Sequence, residues 1–154
     1  DIGKVRHPSH FTLFADANGL KIQIYQIFMD NWDYTKQIQH INGLMESFKI
    51  KRIYYDDTRG EFESFVEQKV IQRGIWSPVK FTQQGKHKMA SNFALLVHRG
   101  IIRLQSDERQ RRSILSVNNN LDALETAEGH GDAFWSIALA LQHKEYGTPI
   151  IIGR

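Results

Sequence analysis

The chain contains no cysteine and only three prolines among its 154 residues. The lack of cysteine excludes a disulfide framework and a cysteine-ligated zinc site. No apolar run approaches the about 18 residues that cross a bilayer, so the sequence predicts no membrane partner. The P-loop, the dinucleotide-binding glycine pattern and the Gly-x-Ser-x-Gly nucleophile motif are also absent, as is His-Glu-x-x-His. These absences argue against ATP binding of the P-loop kind, nicotinamide or flavin cofactors, serine hydrolases and zinc hydrolases.

What is present is the composition of an ordinary globular domain, with 41% hydrophobic and 24% charged residues and a net charge of +3. At this length the simplest prediction is one domain over residues 1–154. The cations are concentrated in one stretch, at Lys86, Lys88, Arg99, Arg103, Arg109, Arg111 and Arg112. Such a cluster could line a phosphate backbone, and a solvated helix face is the equally weighted alternative.

Turn signals and hydrophobic periodicity predict a hairpin followed by alternating helices and strands. Asn18-Gly19, a pair that suits a turn with positive φ, separates predicted strands at 11–14 and 20–28. Later helices are predicted at 32–48, 60–74, a segment ending at Gly100, 106–115 and 132–143, and strands at 52–55, 79–81 and 101–104. This order predicts an α/β domain with a mixed sheet whose early strands are antiparallel.

Three acidic residues stand at the ends of predicted elements. Asp57 follows the strand at 52–55, Asp132 opens an intensely apolar helix, and Asp1 stands just before Gly3. A buried carboxylate is costly unless it has a partner. Magnesium and manganese prefer hard oxygen ligands, and a two-ion site needs several acids to converge. The three acids therefore predict a divalent-metal site suited to the hydrolysis of phosphodiesters.

Each of these residues also has a purely structural explanation. Asp132 could cap its helix, Asp57 could hold the turn at 57–60, and Asp1 could belong to a frayed terminus. His130 could orient a water or carry a proton, and shaping its loop is the slightly favoured alternative. The tryptophans are predicted core anchors, at Trp32, Trp76 and Trp135.

Three motifs stand in a fixed order along the chain. They are Asp1-Ile2-Gly3-Lys4 with Ser9-His10-Phe11-Thr12, then Tyr54-Tyr55-Asp56-Asp57-Thr58-Arg59-Gly60, then Gly129-His130-Gly131-Asp132-Ala133-Phe134-Trp135. A middle element adds Phe81-Thr82, Lys86 and Asn92-Phe93. On these motifs the whole chain resembles the C-terminal nuclease domain of the large terminase subunit of tailed bacteriophages and prophages.

The resemblance implies a ribonuclease H-like fold: a central mixed sheet, antiparallel first and then parallel, with helices on both faces. It also implies that Asp1, Asp57 and Asp132 are the catalytic acids and bind two Mg²⁺ or Mn²⁺ ions. Asp57 is preferred over Asp56 because it keeps the Asp-x-x-Gly register of the family. The family's first acid follows an apolar strand, so Asp16, after the strand at 11–14, is the alternative to Asp1.

The implied task is to cut concatemeric double-stranded viral DNA during packaging, with little sequence specificity. The residues expected to contact DNA are Lys86, Lys88, Arg103, Arg109, Arg111 and Arg112. The resemblance further implies an ATPase motor in the same longer chain, a portal and a small terminase subunit as partners, and the cytoplasm of a bacterial host. Two alternatives are another ribonuclease H-like nuclease, such as a junction resolvase or transposase core, and a non-catalytic module that docks on DNA or the portal.

Overall fold

A computed structural model of the protein describes residues 8–58, 60, 74–123 and 130–142. Their elements follow the order β1 (Ser9–Ala17), β2 (Leu20–Met29), α1 (Tyr34–Phe48), β3 (Ile53–Asp56), β4 (Trp76–Val79), α2 (Gln83–His98), β5 (Ile102–Arg103), α3 (Glu108–Leu115) and α4 (Asp132–Ala140). The body of the helix predicted at 60–74 lies outside the described residues, and so does Asp1. No helix within the described ranges is long and apolar enough to cross a membrane.

The predicted hairpin is confirmed. Asn18 and Gly19 both have positive φ, 51° and 78°, and β1 pairs with β2 in antiparallel fashion over its full length. The register shifts between Leu13 and Phe14, which marks an irregularity of the β-bulge kind. β2 also pairs in parallel with β5, and β3 pairs in parallel with β4. The strands therefore pass from antiparallel to parallel pairing, as predicted, in two paired groups within the described residues.

Helices cover both faces of the strands. Ile53 and Tyr55 of β3 are buried in a cluster with Ile38 of α1, whereas Tyr54 packs against a second cluster. Successive side chains of a strand point to opposite faces. The second cluster is built from α2 and from α4 with the residue that follows it, and its buried members are Met89, Phe93, Ile137, Ala138, Leu139 and Leu141. α1 therefore lies on one face of β3, and α2 and α4 lie on the other.

Some element boundaries differ from those predicted. The strand expected at 79–81 is Trp76–Val79, paired with β3 along its whole length despite Pro78. Proline is tolerated on an edge strand, where its missing N–H costs no ladder bond. The strand expected at 101–104 shrinks to Ile102–Arg103, and the helix expected at 132–143 ends at Ala140.

The tryptophans divide into two kinds. Trp76 and Trp135 are buried, as predicted for core anchors. Trp32 is only half-buried, and the ammonium of Lys36 lies 4.4 Å from its ring centroid. The prediction for Trp32 was wrong because this side chain lies before α1 and supports a surface cation–π contact rather than the core.

Candidate active site

Asp57 lies at the carboxyl end of β3, directly after its last residue. Its backbone N–H donates to the carbonyl of Val79 at 2.9 Å, and its carbonyl accepts the N–H of Gly60 at 3.0 Å. Side-chain support for the same turn comes from the preceding acid, since Oδ1 of Asp56 accepts the N–H of Thr58 at 2.9 Å. The turn is thus held by backbone bonds and by Asp56, and the half-buried Asp57 side chain lies at an edge where ligands collect in α/β sheets.

Asp132 is the first residue of α4 and is only 4% exposed. The helix cap is the preceding residue, Gly131, which has a left-handed φ of 72° and offers no side chain to bond the first turn. The explanation of Asp132 as a cap is therefore wrong. Its carboxylate belongs to the first turn, where the positive end of the helix dipole favours negative charge.

A series of contacts joins the surroundings of the two acids. Asp57 is bonded to β4, and Phe81, just after β4, has its ring centroid 5.7 Å from that of Trp135. Trp135 lies one turn after Asp132 on α4. The ammonium of Lys86 lies 5.1 Å from the Trp135 centroid and 5.9 Å from that of Phe81. The carboxyl end of β3 and β4, the start of α2 and the start of α4 therefore meet in one region.

Of the other candidate residues, one lies outside the described part of the chain and two are exposed. Asp1 is outside the described residues, so its place in a site stays a prediction. Its alternative, Asp16, lies near the end of β1, is largely exposed and forms an ion pair with Lys21, its cross-strand partner on β2. His130 is exposed. Among the described residues, no group of three histidine, cysteine or acidic side chains is placed to hold a metal. A complete site built on Asp57 and Asp132 would need a ligand from outside that part of the chain.

Polar contacts from two other elements hold α4 in place, and no local sequence pattern indicated them. The buried hydroxyl of Ser113 on α3 accepts the N–H of Ala133 at 3.1 Å. The buried imidazole of His10 on β1 places Nδ1 2.5 Å from Oγ of Ser136 and Nε2 3.0 Å from Oε1 of Gln26. Burial lowers the pKa of His10 to about 3, so the ring is neutral near neutral pH. The partners are 20 and 126 residues apart, too far for any local pattern to pair them.

The six cations expected at DNA lie in different environments. Lys86 is half-buried over its aromatic rings, and four are exposed: Lys88, Arg103, Arg111 and Arg112. Arg109 differs, because its guanidinium bonds both oxygens of Asp30 at 2.6 and 2.5 Å and lies 4.1 Å from the centroid of Phe28. That bond lowers the pKa of Asp30. Arg109 therefore ties α3 to the end of β2, a structural role that the sequence did not indicate.

Two cavities flank this region. One of about 120 Å³ lies between β1, β3 and α4, with His10, Tyr55 and Ser136 in its wall, and neither Asp57 nor Asp132 lines it. Its wall is formed mainly by apolar side chains. A more open groove of about 290 Å³ runs beside Lys86, with His87 on the same side and Asn120 and Asp122 opposite. The groove is not lined by Asp57 or Asp132 either, but a polymeric substrate needs an open surface, so the groove beside Lys86 is the better candidate for its approach.

No protein-family model matches the chain, and no curated protein matches its sequence. Solved structures do match. The large terminase nuclease from the thermophilic phage G20c aligns with a TM-score of 0.70 over 90% of this chain and 76% of that one, at 20% identity. The same nuclease with bound magnesium gives a TM-score of 0.70, 22% identity, and 92% and 77% coverage. The same nuclease with bound zinc gives a TM-score of 0.60 and 19% identity, over 86% of this chain and 80% of that one. The chain has the fold of the large terminase nuclease. The predicted fold class is therefore confirmed.

Proposed function

We propose that the chain is a metal-dependent endonuclease domain that cuts double-stranded viral DNA during genome packaging, with little sequence specificity. The observation that carries the proposal is the meeting of two elements that bear acids, the end of β3 at Asp57 and the start of α4 at Asp132. This occurs in a chain with the fold of a terminase nuclease. Asp1 is the proposed third acid.

The proposed ligands suit a hard divalent cation. Asp57 and Asp132 offer only carboxylate oxygens, which are the donors that Mg²⁺ and Mn²⁺ prefer. The G20c nuclease structures with bound magnesium, zinc and cobalt support the use of divalent ions by this fold. Two Mg²⁺ or Mn²⁺ ions are proposed, and when bound they would supply Lewis-acid stabilisation of the phosphate and an activated water.

The side chains around the acids have separate proposed tasks. Asp132, from the start of α4, and Asp57, from the end of β3, would hold the ions. Lys86 lies over the ring of Trp135, which is one turn after Asp132 on α4, and it would contact a non-bridging oxygen of the scissile phosphate. Contacts to the backbone farther along the duplex are assigned to Lys88, Arg103, Arg111 and Arg112. Because phosphate contacts carry no base information, cutting should show little sequence preference and a strong dependence on salt.

The proposed setting follows from this activity. Residues 1–154 would form a single nuclease unit within a longer chain that also carries an ATPase motor. That chain would work with a portal and a small terminase subunit in the cytoplasm of a bacterial host. Co-purification of a longer chain with portal rings and DNA tests this setting separately from the chemistry.

The direct test is to incubate the purified domain with linear and supercoiled duplex DNA in Mn²⁺, in Mg²⁺ and in chelator. Cleavage is expected only with metal. Asp132→Asn and Asp57→Asn should each reduce the cleavage rate by at least about a thousandfold, because a lost ligand removes stabilisation present at the reacting phosphate. Wild-type protein should also gain about 2.7 kcal/mol of unfolding free energy at metal concentrations of 100 times Kd, and the variants should not.

Three further variants sharpen the assignment. Asp16→Asn removes an exposed carboxylate on the hairpin and should leave cleavage unchanged, whereas Asp1→Asn should abolish it; the reverse result would give the third position to Asp16. Asp56→Ala should weaken the turn after β3, because it removes the oxygen that accepts the N–H of Thr58, and it should slow cleavage while metal binding is retained. A strong preference for four-way junctions over plain duplex would favour a resolvase, and metal-independent DNA binding without cleavage would favour a docking module.

A further inference from the structure

Helix α4 begins without a cap of its own. Gly131 stands at the position where a serine, threonine, aspartate or asparagine usually accepts a backbone N–H of the first turn. The bond is supplied instead by Ser113, a fully buried residue of α3, whose hydroxyl accepts the N–H of Ala133. The peptide that follows Asp132 is therefore fixed by a side chain from another helix.

One turn later a second element holds the same helix. Ser136 follows Asp132 by four residues, so both side chains lie on the same face of α4. The hydroxyl of Ser136 contacts Nδ1 of His10 on β1 and also donates to the carbonyl of Ala133 at 3.1 Å. His10 is 1% exposed, and its other ring nitrogen contacts Gln26 of β2. The helix face that carries Asp132 is thus connected to both strands of the hairpin.

Close packing completes this arrangement. A Cβ atom added to Gly131 would lie 2.5 Å from Cγ2 of Val117 and 3.2 Å from Cβ of Ala123. The segment after α3 therefore lies directly against the residue before Asp132. With contacts from α3, from β1 and from residues 117–123, the start of α4 has few ways to rotate or slide. Such buried polar contacts are well suited to fixing orientation, because a half-made network is costly.

We propose that Ser113 and His10, acting through Ala133 and Ser136, are positioning residues that set the orientation of the Asp132 carboxylate for metal binding. The proposal rests on the proposed function, since it takes Asp132 as a metal ligand. Groups that orient a ligand from outside the first coordination sphere typically change metal affinity by about ten- to a hundredfold when removed. The same range is expected here, without any contact between these residues and the metal.

The test compares Ser113→Ala and Ser136→Ala with Thr12→Val. Thr12 of β1 is a matched control because it is also buried and Thr12→Val also removes a hydroxyl hydrogen bond, but that bond comes from Gln23 of β2 and not from α4. For each variant, the Kd for Mn²⁺ without DNA is measured by calorimetry, kcat is measured at saturating Mn²⁺, and stability is measured by urea unfolding. Ser113→Ala and Ser136→Ala should weaken Mn²⁺ binding about tenfold, and Thr12→Val should change it less than about twofold at a similar loss of stability.

Two variants of His10 separate positioning from bulk packing. His10→Asn keeps a polar atom near the place of Nδ1, which faces Ser136, whereas His10→Gln keeps one near Nε2, which faces Gln26. His10→Asn should retain more of the Mn²⁺ affinity than His10→Gln. Amide exchange gives a readout independent of metal, because Ala133 should exchange about tenfold faster in Ser113→Ala than in wild type.

The outcomes separate this proposal from the proposed function. If Asp132→Asn binds Mn²⁺ as wild type does, the metal site itself is wrongly assigned. If Asp132→Asn loses Mn²⁺ but Ser113→Ala and Ser136→Ala keep wild-type affinity, the site stands and the positioning role is overturned. An equal loss of affinity in Thr12→Val would also overturn it, because the effect would then be a general consequence of lower stability.

Discussion

Helices α3 and α4 pack against each other but are held in place by different forces. α4 is apolar on almost every side, with seven of its nine residues buried, and Asp132 is its single charge. α3 is mostly polar: its buried residues are Gln110 and Ser113, and Ile114 packs against the second hydrophobic cluster. Gln110 bonds Gln23 of β2 at 2.7 Å. α4 is therefore anchored mainly by apolar burial, and α3 mainly by hydrogen bonds and by the ion pair of Arg109.

This difference suits the two proposed tasks. A carboxylate that binds metal must be held in one orientation, and an apolar helix fully packed in the core gives it a rigid base. Cations that contact a DNA backbone must reach into solvent, and a helix bonded along one polar side leaves Arg111 and Arg112 exposed. Ser113 links the two, because it is a polar residue of α3 that completes the first turn of α4.

The largest expected effect comes from breaking the close contact before α4. Gly131→Ala should lower the free energy of unfolding by about 3 kcal/mol. Two costs combine, because the alanine would have to adopt a left-handed backbone conformation and its Cβ would clash with Val117. Gly19→Ala is the matched control, because its φ is 78° but nothing lies within 4 Å of the new Cβ. The control should cost only about 1 kcal/mol in urea unfolding. Equal costs would show that Gly131 is not tightly packed.

A second effect is a pH dependence of stability that arises from His10, the β1 residue that contacts α4. The pKa of His10 falls to about 3 in the folded protein, from 6.5 when unfolded. As pH falls, the unfolded state therefore takes up the proton before the folded state does. The stabilising contribution of the neutral, buried His10 is fully present above pH 6.5 and is lost as pH falls from there toward 3. The slope is at most about 1.4 kcal/mol per pH unit. Urea unfolding of wild type and His10→Asn between pH 7 and pH 4.5 measures it, and an unchanged slope in the variant would contradict the assignment.

The smallest effect distinguishes the arginines of α3. Arg109→Gln should cost about 1 kcal/mol of stability, since it breaks a partly exposed two-bond pair with Asp30 and a contact with Phe28. Arg111→Gln should lower stability by less than about 0.5 kcal/mol, but it should reduce the number of counterions released on DNA binding by about one. Binding isotherms at several salt concentrations check both. A larger loss of salt dependence in Arg109→Gln would show that Arg109 contacts DNA directly.

Much of the fold could be predicted from local signals. The Asn18-Gly19 turn, the helix at 34–48 and the buried strand before Asp57 each depend on residues close together in sequence. Boundaries were less predictable, as at β4, because pairing with β3 and burial of Trp76 outweighed the local effect of Pro78. The motifs also indicated Asp57 and Asp132, and they favoured Asp57 over Asp56. In the structure the side chain of Asp56 accepts the N–H of Thr58 and so supports the turn.

The sequence by itself determined which residue types were available: acids at the ends of elements, an apolar last helix and a stretch rich in cations. These follow from spacing and composition, which act over a few residues. Only the tertiary structure decided that Arg109 pairs with Asp30, that Ser113 supplies the missing bond at α4, and that His10 contacts Ser136. Each of these contacts joins residues distant in the chain. Their formation depends on how helices and strands pack, and that packing is a property of the whole core rather than of any local pattern.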